Sequence, residues 1–174
     1  MNGFMLTEWT NFFTLTGSAS ATLVGLLFVV VTLNTALTAS RKLDIARASM
    51  SPALYNFTDV LLQSMVVLVP WQSKWPSGVI LILLGIWGLI YRINRVIARN
   101  KLHLRAIHGL VDRIFHNWVP VAASVILLSG GVGLFVGAAF TPFAVASSST
   151  LLLVSGIYRT WGETLALIGI QDQS

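Results

Sequence analysis

The sequence predicts an all-α fold: a polytopic membrane helical bundle of about five transmembrane helices, with a basic amphipathic helix on the cytoplasmic side. Three observations carry this. The 174 residues are 55% hydrophobic and only 10% charged, against about 25% charged in soluble domains. The mean hydropathy is +0.79. The charges also gather between long apolar runs, as they do when each run crosses a bilayer. The expectation is one integral membrane domain over residues 1–174. The absence of cysteine excludes disulfides and thiolate metal sites. The net charge of +5 marks the inner face of a membrane protein more simply than it marks nucleic acid, so no nucleic-acid partner is expected.

Residues 1–10 carry Glu8 and no Lys or Arg, so they lack the basic start of a secretory signal peptide. The first span is predicted at 11–34. Its first half is rich in small and hydroxylated residues, and Gly17, Ala21 and Gly25 recur every fourth position, the pattern that lets helices pack closely. Arg41, Lys42, Asp44 and Arg47 then read as a short basic loop. The second span is predicted at 51–70, with Pro52 in its first turn, where a missing N–H costs nothing. Pro70, Trp71, Trp75 and Pro76 form an aromatic turn. The third span follows at 77–96.

Residues 97–117 form the longest polar connection. Its apolar residues, among them Leu104, Ile107, Val111 and Ile114, recur at helical spacing, which predicts an amphipathic helix on the membrane surface. The fourth span is predicted at 118–140, where Ser129, Gly133 and Gly137 repeat the small-residue spacing. Thr141-Pro142 reads as a tight turn and 143–161 as the fifth span. A kinked or re-entrant pair over 118–158 is the alternative, because the fifth run is close to the lower length limit.

Five spans with the amino terminus outside put the carboxyl terminus in the cytoplasm. Ten of the eleven Lys and Arg residues then lie at the inner face, and only Lys74 lies outside. The spans rest on hydrophobicity alone, so this agreement with the positive-inside rule is independent support. Five of the six tryptophans fall near an interface, Trp87 being the exception.

Asp59 is the one acid inside a predicted span. Asn56 and Gln63 stand at i−3 and i+4 from it, which puts three polar side chains on one helical face. Inserting such a group into hydrocarbon costs about 2.5–3.5 kcal/mol, so it should meet protein or water and not lipid. Hydroxyls on the other spans, Ser148 among them, and Arg92 are candidate partners. The face either lines a permeation path or fixes helix packing. Arg92, Arg95, Arg99, Lys101, Arg105 and Arg113 form a basic stripe suited to anionic lipid head groups or a cytoplasmic partner. His108, Asp112 and His116 lie at i, i+4 and i+8, but the two histidines are ~12 Å apart along a helix, too far to share an ion. No metal site or cofactor is predicted. No paired carboxylates, nucleophile motif or P-loop appears, so no enzyme is predicted.

The runs Thr16–Leu33, Ser51-Pro-Ala-Leu-Tyr-Asn-Phe57 and Arg159-Thr-Trp-Gly-Glu163 resemble a set of small, uncharacterised bacterial multi-pass membrane proteins. The resemblance implies a bacterial inner (plasma) membrane and makes Pro52–Asp59 a characteristic segment. It implies no activity. The leading expectation is a small homo-oligomeric ion channel lined by Asn56, Asp59, Gln63 and Ser148. The alternative is a non-conducting adaptor or sensor whose basic inner loop binds anionic lipid or a partner.

Overall fold

A computed structural model describes residues 9–37, 40–101 and 118–171, with side chains over 9–32, 52–97 and 118–161. The described residues form five helices and no strand: α1 (Thr10–Leu37), α2 (Ser40–Leu68), α3 (Lys74–Lys101), α4 (Val119–Val136) and α5 (Thr141–Gln171). Four contain a stretch long and apolar enough to cross a membrane: Thr10–Thr32, Lys74–Ile97, Val119–Val136 and Thr141–Trp161. The part of α2 whose side chains are described, 52–68, falls short of that length.

The helices run past the apolar stretches that announce them. Of the expected loop over 35–50, residues 35–37 and 40–50 are helical, because α1 continues to Leu37 and α2 begins at Ser40. Pro52 therefore lies well inside α2 and not in its first turn. Nothing over residues 40–51 breaks a helix, since no Gly or other Pro occurs there. Pro52 gives up one backbone bond within α2. Similarly, α3 starts at Lys74 and continues to Lys101, while the rest of the predicted amphipathic segment, 102–117, lies outside the described residues.

The last two helices are separate elements joined by a short turn. α4 stops earlier than expected, at Val136. Gly137 has φ of 70°, a left-handed conformation that glycine adopts without strain, and its N–H bonds to the Leu134 carbonyl. The turn is thus 137–140. Thr141 and Pro142 form the first turn of α5, where proline is well tolerated.

Side-chain pairs fix antiparallel neighbours. Gly17 and Ser20 of α1 meet Ser64 and Phe57 of α2. Gly78 of α3 packs on Gly131 of α4, and Gly85 on Leu128. Asn56 and Gln63 of α2 meet Ser155 and Ser149 of α5. α2 is therefore the central element, flanked by α1, α3 and α5. Phe57, Val60, Ala53, Leu127 and Leu152 are buried around it.

Only part of the predicted small-residue pattern packs within the chain. Gly17 is buried, but Ala21 and Gly25 are exposed, and a Cβ on Gly25 would meet nothing within 4 Å. On α4, Ser129 is exposed and bonds back to the Ile126 carbonyl. Gly133 packs against Thr141 and Phe140 beside the turn, and Gly137 ends the helix. The close crossing uses Gly130 and Gly131 instead. A Cβ on Gly130 would lie 3.0 Å from Val145, and one on Gly131 would lie 2.8 Å from Ile82. Gly131→Val should therefore cost about 1–3 kcal/mol through overpacking. Gly25→Val should leave stability within about 0.5 kcal/mol, as surface changes do. Thermal unfolding of the two variants in detergent checks the contrast, and equal losses would refute this account of the α3–α4 crossing.

Candidate functional site

The polar face of α2 is turned into the bundle and is fully engaged there. Asp59 and Arg92 form a salt bridge of 2.8 Å between Oδ2 and Nη2, with side chains 5% and 6% exposed. The sequence offers Arg92 two places, beside Asp59 or on a lipid-binding stripe. It takes the first, on the inward line of α3, following Leu81, Gly85 and Gly88 at steps of three and four residues. Arg92 Nη2 also donates to Asn56 Oδ1 at 3.3 Å, and Nη1 donates to Ser124 Oγ on α4. Arg92 Nε is buried and has no hydrogen-bond partner among the described residues.

The network then spreads to α5. Asn56 Nδ2 donates to Ser155 Oγ at 3.1 Å, and Ser155 donates to the Leu152 carbonyl. Gln63 Nε2 donates to Asp59 Oδ1 at 3.4 Å, while Gln63 Oε1 accepts from Ser149 at 2.9 Å. Both amides use their oxygen and their nitrogen at once, so flipping either would break two contacts. Ser124 in turn donates to the Pro120 carbonyl. Four helices thus contribute to one buried polar cluster, and burying these groups requires such pairing.

Gly88 makes room for it. A Cβ at that position would lie 2.5 Å from Arg92 Nη1, 3.3 Å from Ser124 Oγ and 3.5 Å from Asp59 Oδ2. Above the ion pair the Arg92 guanidinium lies over the Tyr55 ring, 5.4 Å from its centre. Tyr55 stacks on Tyr91 with ring centres 4.1 Å apart and planes at 19°. Arg95 lies over Tyr91 at 5.8 Å and donates to the phenol oxygen at 3.1 Å.

Asn56, Asp59 and Gln63 therefore meet as the sequence spacing suggested. Ser148 does not join them. It is buried, but its hydroxyl donates to the Ala123 carbonyl at 2.9 Å and ties α5 to α4. The sequence reading counted Ser149 among the hydroxyls level with Asp59 but passed over Ser124, Ser155, Gly88, Tyr55 and Tyr91. Of these, Tyr55 and Tyr91 carried a usable signal, each being one residue from a polar member of the cluster. The hydroxyls of Thr14, Thr22 and Thr32 bond to carbonyls four residues back in α1 and reach no other helix. Arg99 and Lys101 stand near the end of α3 with side chains outside the described set, and Arg105, Arg113, His108, Asp112 and His116 lie outside the described residues. Among the described residues, no three His, Cys, Asp or Glu side chains come together to hold a metal. No family model, curated protein or solved structure matches this chain.

Asp59→Leu should lose about 3–5 kcal/mol because it leaves a buried guanidinium uncompensated. Asp59→Leu with Arg92→Leu should recover much of that loss, since paired apolar groups need no solvation. A double-mutant cycle on unfolding in detergent measures the coupling, and additive losses would refute it. Ser124→Ala should cost about 1–3 kcal/mol by stripping an acceptor from Arg92, and Ser129→Ala almost nothing. The same unfolding measurement separates these two serines.

Proposed function

We propose that the protein is a non-conducting integral membrane adaptor or sensor of a bacterial inner membrane. In this reading α2 crosses the bilayer with the other four helices, the amino terminus is outside and the carboxyl terminus is in the cytoplasm. The basic ends of the helices face the cytoplasm and contact anionic lipid or a partner. The four apolar helices and the outward-facing Leu15, Phe28, Leu83, Trp87 and Val154 support the membrane setting. So do exposed Trp118 and Trp161 at the basic end and Trp75 at the other, which match two interfacial belts.

The observation that carries the reading is the closure of the α2 polar face. A permeation path needs polar groups that meet water or ions. Asn56, Asp59 and Gln63 are at most 5% exposed, and their polar atoms are taken up by Arg92, Ser149 and Ser155. An unneutralised acid would attract cations, but here Arg92 cancels its charge. This favours an adaptor or sensor over a conduit within one subunit.

Purified protein reconstituted in liposomes should show no flux of sodium, potassium, protons or chloride above empty vesicles. Asp59→Asn should leave that baseline unchanged. A sustained flux that Asp59→Asn alters would overturn the non-conducting reading and restore the channel.

A further inference from the structure

We infer that Arg95, with Tyr91 and Tyr55, forms a binding site for the phosphate of an anionic phospholipid head group, at the basic end of the α2–α3 contact. This rests on the membrane placement proposed above and names the lipid partner of the basic end.

Arg92 and Arg95 are one helical turn apart, yet their surroundings differ. Arg92 is buried and its charge is met by Asp59. Arg95 is half-buried and makes no ion pair among the described residues; its one hydrogen bond there is to the Tyr91 phenol. A guanidinium carries five donors, so several remain to be met. The fork suits a phosphate, which accepts two parallel N–H bonds. Its position is also held, by the phenol bond and by the Tyr91 ring beneath it. The Tyr91 hydroxyl accepts from Arg95 and keeps its own proton for a second bond to the same phosphate. Tyr55, stacked on Tyr91, joins α2 to this floor, so the site lies where two helices meet. Basic pockets between helices on the cytoplasmic side are the setting in which anionic head groups bind.

The level of the site argues for a lipid and not a free anion. Asn56 joins both Arg92 and Ser155, which sets α3 and α5 in register there. Counting one turn on from Arg92 and from Ser155 at the same rise per residue brings Tyr158 of α5 level with Arg95, with Trp161 a turn beyond. Both are exposed, as is Trp118 at the start of α4. Exposed tyrosine and tryptophan gather at head-group depth.

The test titrates full-length protein in a neutral detergent with short-chain phosphatidylglycerol, short-chain phosphatidylcholine or inorganic phosphate, following tryptophan fluorescence and thermal unfolding. Phosphatidylglycerol should bind the wild type most tightly. Arg95→Gln should weaken it about tenfold. Arg95→Lys should fall between them, because the charge stays and the planar fork is lost. Tyr91→Phe should weaken binding about threefold. Lys74→Gln at the opposite end should change nothing. Unchanged phosphatidylglycerol binding in Arg95→Gln would overturn the site. If that variant does not fold, wild-type affinity in both Arg95→Lys and Tyr91→Phe would overturn it. Equal binding of inorganic phosphate would overturn the lipid as ligand, and equal binding of phosphatidylcholine would overturn the anionic head group. Ion flux in liposomes combined with Arg95-dependent lipid binding would sink the non-conducting reading and leave this site standing.

Discussion

The bundle depends on one constraint: an arginine that cannot be neutralised is enclosed among apolar helices. A guanidinium stays charged at any pH a protein meets, so burying Arg92 is sustainable only with an anion and further acceptors around it. Asp59 supplies the anion at 2.8 Å. Asn56 and Ser124 supply acceptors on two other helices. Each accepting group is itself oriented by a neighbour: Asn56 by Ser155, Ser124 by the Pro120 carbonyl. The positions of α3, α4 and α5 around α2 are thus coupled through one charge. Shifting α2 or α3 along its axis by a residue, ~1.5 Å, would cost several of these bonds together.

Such a pair need not add to stability. Replacing a buried ion pair by apolar groups is often neutral or stabilising, while breaking it by removing one partner is costly. The contribution we assign it is register. Apolar burial is non-directional, whereas the bonds between Asp59, Arg92 and Ser124 are directional and admit one alignment. The ion pair is in this sense a structural counterpart of the polar residues that set register in coiled coils.

How much of this was legible in the sequence follows from helical geometry. Asn56, Asp59 and Gln63 are spaced by three and then four residues, which keeps them on one face, and they do meet. Gly17, Ala21 and Gly25 are spaced by four and four. Each step of four turns the helix about 40° past a full revolution, so the row drifts off the face, and Ala21 and Gly25 end up exposed. On α4 only Ser129 of the corresponding row is turned outward; Gly133 is buried beside the turn, and Gly137 caps the helix. The inward residues of α4 step by three and four with neighbouring pairs: Pro120, Ala123, Ser124, Leu127, Gly130, Gly131, Gly133 and Leu134. Helix ends were less legible than spans, because hydropathy reports where a helix is apolar and says nothing about where its backbone stops. Arg92 is readable both as a partner of Asp59 and, beside Arg95, Arg99 and Lys101, as part of a surface stripe; the choice depends on which side of α3 the tertiary crossing turns inward.

Gly88 shows that the packing and the polar site are one arrangement. Glycines on α3 allow α4 to approach closely, and Gly78 and Gly85 do that against Gly131 and Leu128. One turn further, the same line of small residues reaches the charge. The space that a Cβ would take at Gly88 is occupied by Arg92 Nη1 and bordered by Ser124 and Asp59. An alanine there could not keep its own helix in place without pushing the guanidinium from its acceptors. The close crossing that glycine permits is therefore also what brings Ser124 within reach of Arg92. A larger residue would separate α3 from α4 and leave the arginine with Asp59 and Asn56 as its described acceptors, in a setting where each missing bond to a buried charge costs about 1–3 kcal/mol.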